Sequence, residues 1–80
     1  MRKPVIMTVD DEPVVLKAVS RDLHEHYQRD YRIIEVGSAV EALDMVLKLK
    51  QRNTPIALFL VDQRMPEMSG TEFLARAMRD

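Results

Sequence analysis

The stretch LFLVDQRMPEMSG, from Leu58 to Gly70, decides how this chain folds. An apolar run suited to burial ends on a single carboxylate, Asp62, and the chain then passes through Pro66 to Gly70. Burying a charge is costly unless the charge is paired, so Asp62 must lie at the end of the buried segment and not within it. A strand that ends on a carboxylate, followed by a constrained turn, is the pattern from which the rest of the fold can be worked out.

The length and charge of the chain limit what it can be. Its 80 residues suit one small domain or part of one. Twelve basic and thirteen acidic residues give a net charge of −1. This balance provides no general attraction to nucleic acid or to anionic membranes, and we expect neither as a direct partner. The chain has no cysteine, no signal-peptide pattern and no apolar run of membrane-spanning length, so we expect a cytoplasmic protein.

Three short apolar runs predict buried strands, at Val5–Val9, Arg32–Val36 and Ile56–Val61. They are rich in β-branched residues and lack a clean alternation of apolar and polar positions. This pattern is typical of strands that are covered on both faces of a sheet.

Two helices are predicted between the strands, from about Pro13 to Tyr27 and from about Ala39 to Gln51. Pro13 suits the first helical position, where a missing N–H costs nothing. Apolar residues recur at spacings of three and four on the face expected to point inward: Val15, Leu16, Val19, Leu23 and Tyr27 in the first helix, and Ala42, Leu43, Val46 and either Leu47 or Leu49 in the second.

Two capping boxes mark helix starts. In SAVE, Ser38 to Glu41, the serine hydroxyl can accept from the glutamate amide while the glutamate side chain reaches back. SGTE, Ser69 to Glu72, repeats the pattern and predicts a third helix from about Gly70. No glycine, proline or cap closes this helix before Asp80, so we expect it to continue to that residue and the chain to be part of a larger domain.

The resulting order β-α-β-α-β-α predicts an α/β fold with a doubly wound parallel sheet and helices on both faces. We place no domain boundary within residues 1–80, because no linker, repeat or low-complexity segment interrupts the pattern.

Three carboxylates follow strands in this pattern. Asp10 and Asp11 come directly after the first strand and Asp62 after the third. Ligands bind to open α/β sheets beyond the carboxyl ends of the strands, at the point where the strand order reverses. If the second and third strands lie on opposite sides of the first, all three carboxylates meet in one crevice.

A hard divalent cation, Mg²⁺ before Ca²⁺, would neutralise such a cluster. Acidic residues after strands also serve as helix caps and solvated turn residues, and one such residue would need no other explanation. Three of them at strand ends favour a metal site.

The two acidic motifs resemble those of the receiver domain of two-component response regulators. VDDEP, Val9 to Pro13, follows the first strand, and VDQRMPEMSG, Val61 to Gly70, matches the family pattern of aspartate, Met-Pro, a small residue and glycine. The resemblance implies a flavodoxin-like sheet with strand order 2-1-3 in this chain. It also implies that residues 1–80 are a partial receiver domain that lacks the fourth and fifth strands and the last helices.

The resemblance also assigns roles by position. It implies that Asp62 accepts a phosphoryl group from a histidine kinase, with Mg²⁺ as cofactor, and that a downstream effector domain, which these residues do not identify, responds. It implies a metal site made by Asp10, Asp11, Asp62 and the backbone carbonyl of Arg64, and a loop shaped by Met65, Pro66 and Gly70.

Several family features have no counterpart in this chain. The family's Ser or Thr after its fourth strand and its Lys after its fifth clamp the phosphoryl group. Without them we expect weak or no phosphorylation of this chain. The third strand is expected to form a sheet edge without a neighbour, and such an edge favours self-association.

Two alternative functions remain open. The fold could serve as an interaction or dimerisation module that never uses its carboxylates. A hydrolase with an aspartate nucleophile is the other alternative, although the best-known phosphatase family of that kind has a second aspartate two residues later, where this chain has Arg64.

Overall fold

The computed structural model describes residues 3–79, which form one three-stranded sheet and three helices. The elements are β1 (Val5–Val9), α1 (Pro13–Tyr27), β2 (Arg32–Val36), α2 (Ala39–Gln51), β3 (Ile56–Val61) and α3 (Gly70–Ala77). The predicted bounds of all three strands and of the first two helices are confirmed. Within the described range, no helix has both the length and the apolar character needed to cross a bilayer.

The sheet is parallel, with strand order β2-β1-β3. The α/β doubly wound fold with order 2-1-3 is therefore confirmed. The central strand β1 is buried along its whole length, whereas β2 and β3 are edge strands. Because β1 and β3 are neighbours on the side where the order reverses, their carboxyl ends lie next to each other.

The two faces of the sheet follow from alternation along β1. Val5, Met7 and Val9 point to one face and join a core with residues of α2 and α3. Ile6 and Thr8 point to the other face, where α1 lies over β1 and β2. Helices thus cover both faces of β1.

A bulge in β3 explains why this strand lacks a simple alternation. Val5 pairs with Ile56, but the next residue, Ile6, pairs with Leu58, so Ala57 is an extra residue on β3. One extra residue reverses the face of the sheet to which each of the following side chains points. The bulge therefore allows both Ile56 and Phe59 to pack against the α2–α3 core, although they are three residues apart.

The α1 face of β3 is open, which corrects the prediction that this strand is covered on both faces. Leu58 is 46% exposed and Leu60 is 38% exposed. Within α1, the predicted inward residues Leu16 and Leu23 are buried. Val15 and Tyr27, which were also predicted to point inward, are 41% and 47% exposed. The reason is that α1 lies mainly over β1 and β2. The face of β3 on this side of the sheet is therefore left uncovered, and so is the side of α1 nearest to it.

The third helix ends at Ala77, not at Asp80 as predicted; Asp80 itself lies outside the described residues. Lys50 of α2 supplies the cap that the local sequence lacks. Its Nζ donates to the carbonyl of Ala77 at 3.1 Å and to that of Arg79 at 2.8 Å. A cation beside the last carbonyls of a helix satisfies them and interacts favourably with the helix dipole.

Both serine caps are present, but the Glu72 side chain does not complete its capping box. Ser38 Oγ accepts from the Glu41 amide at 3.1 Å, and Ser69 Oγ accepts from the Glu72 amide at 3.1 Å. The Glu72 carboxylate does not reach back as predicted. It accepts from Arg76 Nη2 at 2.8 Å, an i,i+4 ion pair along α3.

Candidate functional site

Three carboxylates converge at the carboxyl ends of β1 and β3. Asp10, Asp11 and Asp62 each offer an oxygen atom, and the three oxygens lie within 4.8 Å of one another. Asp10 and Asp62 are half-buried and Asp11 is exposed. The structure therefore brings together the three acidic residues selected from the sequence.

Backbone hydrogen bonds hold this cluster to the sheet. The Asp62 amide donates to the carbonyl of Val9 at 2.9 Å, and the Asp10 amide donates to that of Val36 at 3.2 Å. Both residues thus continue the ladder one position beyond their strands. The Asp10 carboxylate also accepts from the Glu12 amide through Oδ1 at 2.9 Å, which fixes its direction at the start of α1.

The donor set suits Mg²⁺. Mg²⁺ prefers hard oxygen ligands, needs one or two carboxylates and keeps several waters. The cluster is open to solvent on the Asp11 side, so water can complete the coordination. Without a cation, three carboxylates this close repel one another. A shallow cavity of about 250 Å³ lies beside Asp10 and Asp62 and is otherwise lined by Thr8, Val9, Val19, Leu60 and Val61.

The loop after Asp62 is attached to the core by methionines. Met65 is buried in the α2–α3 core, as is Met68, which the sequence analysis did not select. Arg64 and Pro66 are exposed. Met65 thus anchors the loop three residues beyond the carboxylate.

Gly70 lies where α3 begins, directly against the site. A Cβ atom on Gly70 would be 2.8 Å from the backbone oxygen of Asp62 and 3.0 Å from Gln63 Oε1. Real Cβ atoms do not approach backbone oxygens so closely, so the start of α3 requires a glycine here.

Sequence reasoning missed Gln63. Its side chain Oε1 accepts from both the amide and the hydroxyl of Thr71. A side-chain hydrogen bond between a loop residue and a helix residue eight positions later follows no regular spacing of residue types. No sequence pattern therefore indicated it.

A larger cavity, of about 650 Å³, lies at the opposite end of the sheet and is not suited to a metal cation. It borders the amino ends of the strands, and Lys3, Arg32 and Arg52 contribute to its lining, which contains no carboxylate. Among residues 3–79, the group of acidic side chains close enough together to hold a metal ion is that of Asp10, Asp11 and Asp62.

Comparison with known proteins shows which family this chain resembles. Residues 6–80 match the family described as the response regulator receiver domain. The chain is 36% identical over 73 residues to the hydrogenase transcriptional regulatory protein HoxA of Cupriavidus necator, and 34% identical over 74 residues to a protein-glutamate methylesterase/protein-glutamine glutaminase of Agrobacterium fabrum.

These matches cover most of this chain but little of either relative. They include 91% and 92% of the chain, against 13% of the first protein and 19% of the second. The names of the two relatives state different activities. The segment that they share with this chain therefore does not indicate either activity.

Proposed function

Because this chain belongs to the response regulator receiver domain family, we propose that it is a phosphoacceptor domain, phosphorylated on Asp62 with Mg²⁺ as cofactor. The observation that carries the proposal is the meeting of Asp10, Asp11 and Asp62 within 4.8 Å at the carboxyl ends of neighbouring strands. We assign residues 1–80 to part of a receiver domain.

In the proposed reaction, an Asp62 carboxylate oxygen attacks the phosphorus of a phosphohistidine on a kinase. The new O–P bond forms as the P–N bond breaks, and the imidazole nitrogen retains the electron pair. Asp10, Asp11, Asp62 and the Arg64 carbonyl are the proposed metal ligands. Mg²⁺, when bound, offsets the negative charge that the carboxylates and the phosphoryl oxygens bring together. Met65, Pro66 and Gly70 are the proposed loop-shaping residues.

The proposed partners are a histidine kinase and an effector domain of unspecified output, in the cytoplasm of a bacterium. Both named relatives come from bacteria. The Ser or Thr and the Lys that clamp the phosphoryl group in the family have no counterpart among these 80 residues. We therefore expect the 80-residue chain, tested alone, to be phosphorylated slowly.

Asp62→Asn is expected to abolish phosphorylation and beryllium fluoride binding, because an amide is not a nucleophile and carries no charge for the metal. The unchanged chain should take up one phosphoryl group from a small phosphodonor in the presence of Mg²⁺, measured by intact-protein mass spectrometry. Fluorine NMR should show beryllium fluoride bound to the same chain. Asp30→Asn, at an exposed aspartate just after α1, is the control and should leave both results unchanged.

Three other outcomes would contradict the proposal in different ways. Equal phosphorylation of the Asp62→Asn chain would place the acceptor elsewhere. Continuous release of phosphate would indicate the hydrolase alternative. The absence of both phosphorylation and beryllium fluoride binding in the unchanged chain would leave the interaction-module alternative.

A specific observation favours an interaction function as well. The edge strand β3 presents its free backbone groups together with Leu58 and Leu60, both exposed on the α1 face. Beside them a groove of about 420 Å³ is lined by Ile6, Leu23, Tyr27, Tyr31, Ala57, Leu58 and Leu60. We propose that a second copy of the chain pairs with this edge.

The 80-residue chain is expected to sediment as a dimer at high micromolar concentration. Leu60→Lys should shift it to the monomer, because a charge in the apolar groove opposes its burial. Leu47→Lys, at a leucine of α2 that is 55% exposed against 38% for Leu60, is the control and should remain dimeric. A monomeric unchanged chain at that concentration would refute self-association.

A further inference from the structure

The start of α3 is joined to the peptide that carries the proposed phosphoacceptor. The Gly70 amide donates to the backbone carbonyl of Gln63 at 3.2 Å. Since a Cβ on Gly70 would lie 2.8 Å from the Asp62 oxygen, the first turn of α3 and the Asp62–Gln63 peptide are in direct contact.

The Gln63 side chain adds two further bonds to the same helix turn. Its Oε1 accepts from the Thr71 amide at 3.0 Å and from Thr71 Oγ1 at 3.1 Å. The first amides of a helix have no partner within the helix. Ser69 satisfies that of Glu72, and Gln63 satisfies that of Thr71. Gln63 thus binds α3 through both its backbone and its side chain.

These bonds act on a part of the loop that lies between two other attachments. Before it, Asp62 is bonded to Val9 of β1; after it, Met65 is buried in the core. Gln63 and Arg64 lie between these two attachments with exposed side chains. Rotation of either peptide would change the direction of the Asp62 carboxylate or of the Arg64 carbonyl.

We propose that Gln63 is a positioning residue for the acidic site: by bonding Thr71, it fixes the backbone from Asp62 to Arg64 against the start of α3. The metal part of this inference rests on the proposed function, since it assigns Asp62 and the Arg64 carbonyl to Mg²⁺. In this proposal Gln63 acts through the backbone and is not itself a metal ligand.

The first test is Mg²⁺ affinity, measured by isothermal titration calorimetry on the 80-residue chain. Gln63→Met keeps the side-chain length but removes the acceptor oxygen, and we expect about 10-fold weaker Mg²⁺ binding, the lower end of the effect of removing groups that orient metal ligands. Gln51→Met, at the exposed last residue of α2, is the control and should bind as the unchanged chain does.

Substitutions of Thr71, the partner residue, test the same bonds from the other side. Thr71→Val loses the hydroxyl and should weaken Mg²⁺ binding by about half as much on a logarithmic scale, while Thr71→Ser retains the hydroxyl and should bind normally. In a Gln63→Met background, Thr71→Val should have no further effect, because the two changes remove the same bond. Additive effects of the two substitutions would contradict the coupling.

A metal-free measurement separates positioning from stability alone. Backbone ¹⁵N relaxation should show lower order parameters for Gln63 and Arg64 in the Gln63→Met chain, with α1 unchanged. A purely structural role would lower the unfolding midpoint while leaving these order parameters and the Mg²⁺ affinity intact, and that result would overturn the inference. If the unchanged chain binds no Mg²⁺, the proposed function fails, and the relaxation result alone then supports or refutes the fixing of the loop by Gln63.

Discussion

Phe73→Ala is expected to cost about 3–5 kcal/mol in the free energy of unfolding, the range for aromatic truncation in a packed core. The Phe73 side chain is fully buried, at 0% exposure. Its ring packs edge-to-face against that of Phe59, with centroids 5.6 Å apart. A chain of this length has roughly 4–12 kcal/mol of total stability at ordinary values per residue, so the substitution should remove a large share of the free energy of unfolding.

Urea denaturation followed by far-UV circular dichroism measures this effect. Phe73→Leu should cost about 1–2 kcal/mol, since it keeps most of the volume but loses the ring pair; it also keeps the experiment decisive if the alanine chain does not fold. Met78→Ala, at the exposed residue that follows α3, should change stability by less than about 0.5 kcal/mol. Equal urea midpoints for the Phe73→Ala and Met78→Ala chains would show that the Phe73 ring does not contribute the expected stability to the core.

Gly70→Ala is expected to destabilise the chain by about 1–3 kcal/mol, the range for forcing an extra group into a packed position. Helix propensity alone predicts the opposite sign, because alanine is about 1 kcal/mol better than glycine within a helix. The structure reverses the sign, since the added Cβ would lie 2.8 Å from the Asp62 backbone oxygen and both are held by backbone bonds. The start of α3 must therefore move away from the acidic site.

Gly37→Ala is the matched control, because a Cβ at Gly37 would have no atom within 4 Å. It should be neutral or stabilise by up to about 1 kcal/mol through the unfolded state. Urea midpoints give the two free energies, and amide chemical shifts at Asp62 report the displacement. A Gly70→Ala chain as stable as the Gly37→Ala chain, with unchanged Asp62 shifts, would show that α3 does not press on the site.

Local patterns predicted the elements well because each has its own signal. The apolar runs gave the bounds of β1, β2 and β3, while Pro13 and Ser38 marked the starts of α1 and α2. The acidic cluster was also predictable, because a parallel sheet brings the carboxyl ends of neighbouring strands to one edge.

The features that were missed depend on contacts between distant positions. Lys50 ends α3 from 27 residues away, and Gln63 bonds the same helix from eight residues away. The bulge at Ala57 made β3 resemble a doubly covered strand, whereas its irregular pattern comes from one extra residue in the pairing with β1. No periodicity analysis within a single segment can detect such pairings.

The two edges of this sheet differ in what kind of assembly they permit. Pairing of β3 with β3 of a second chain about a two-fold axis uses the β3 edge of each chain, and a contact between identical surfaces closes at two chains. Pairing of β3 with β2 of the next chain would leave one unused edge at each end and extend into a fibre. The β2 edge carries exposed Arg32 and Glu35, the latter paired with Lys17 at 3.7 Å, and charges of this kind oppose edge-to-edge addition. If β3 pairs with a second copy as proposed, the contrast between a charged β2 and an apolar β3 favours a closed dimer over an open fibre.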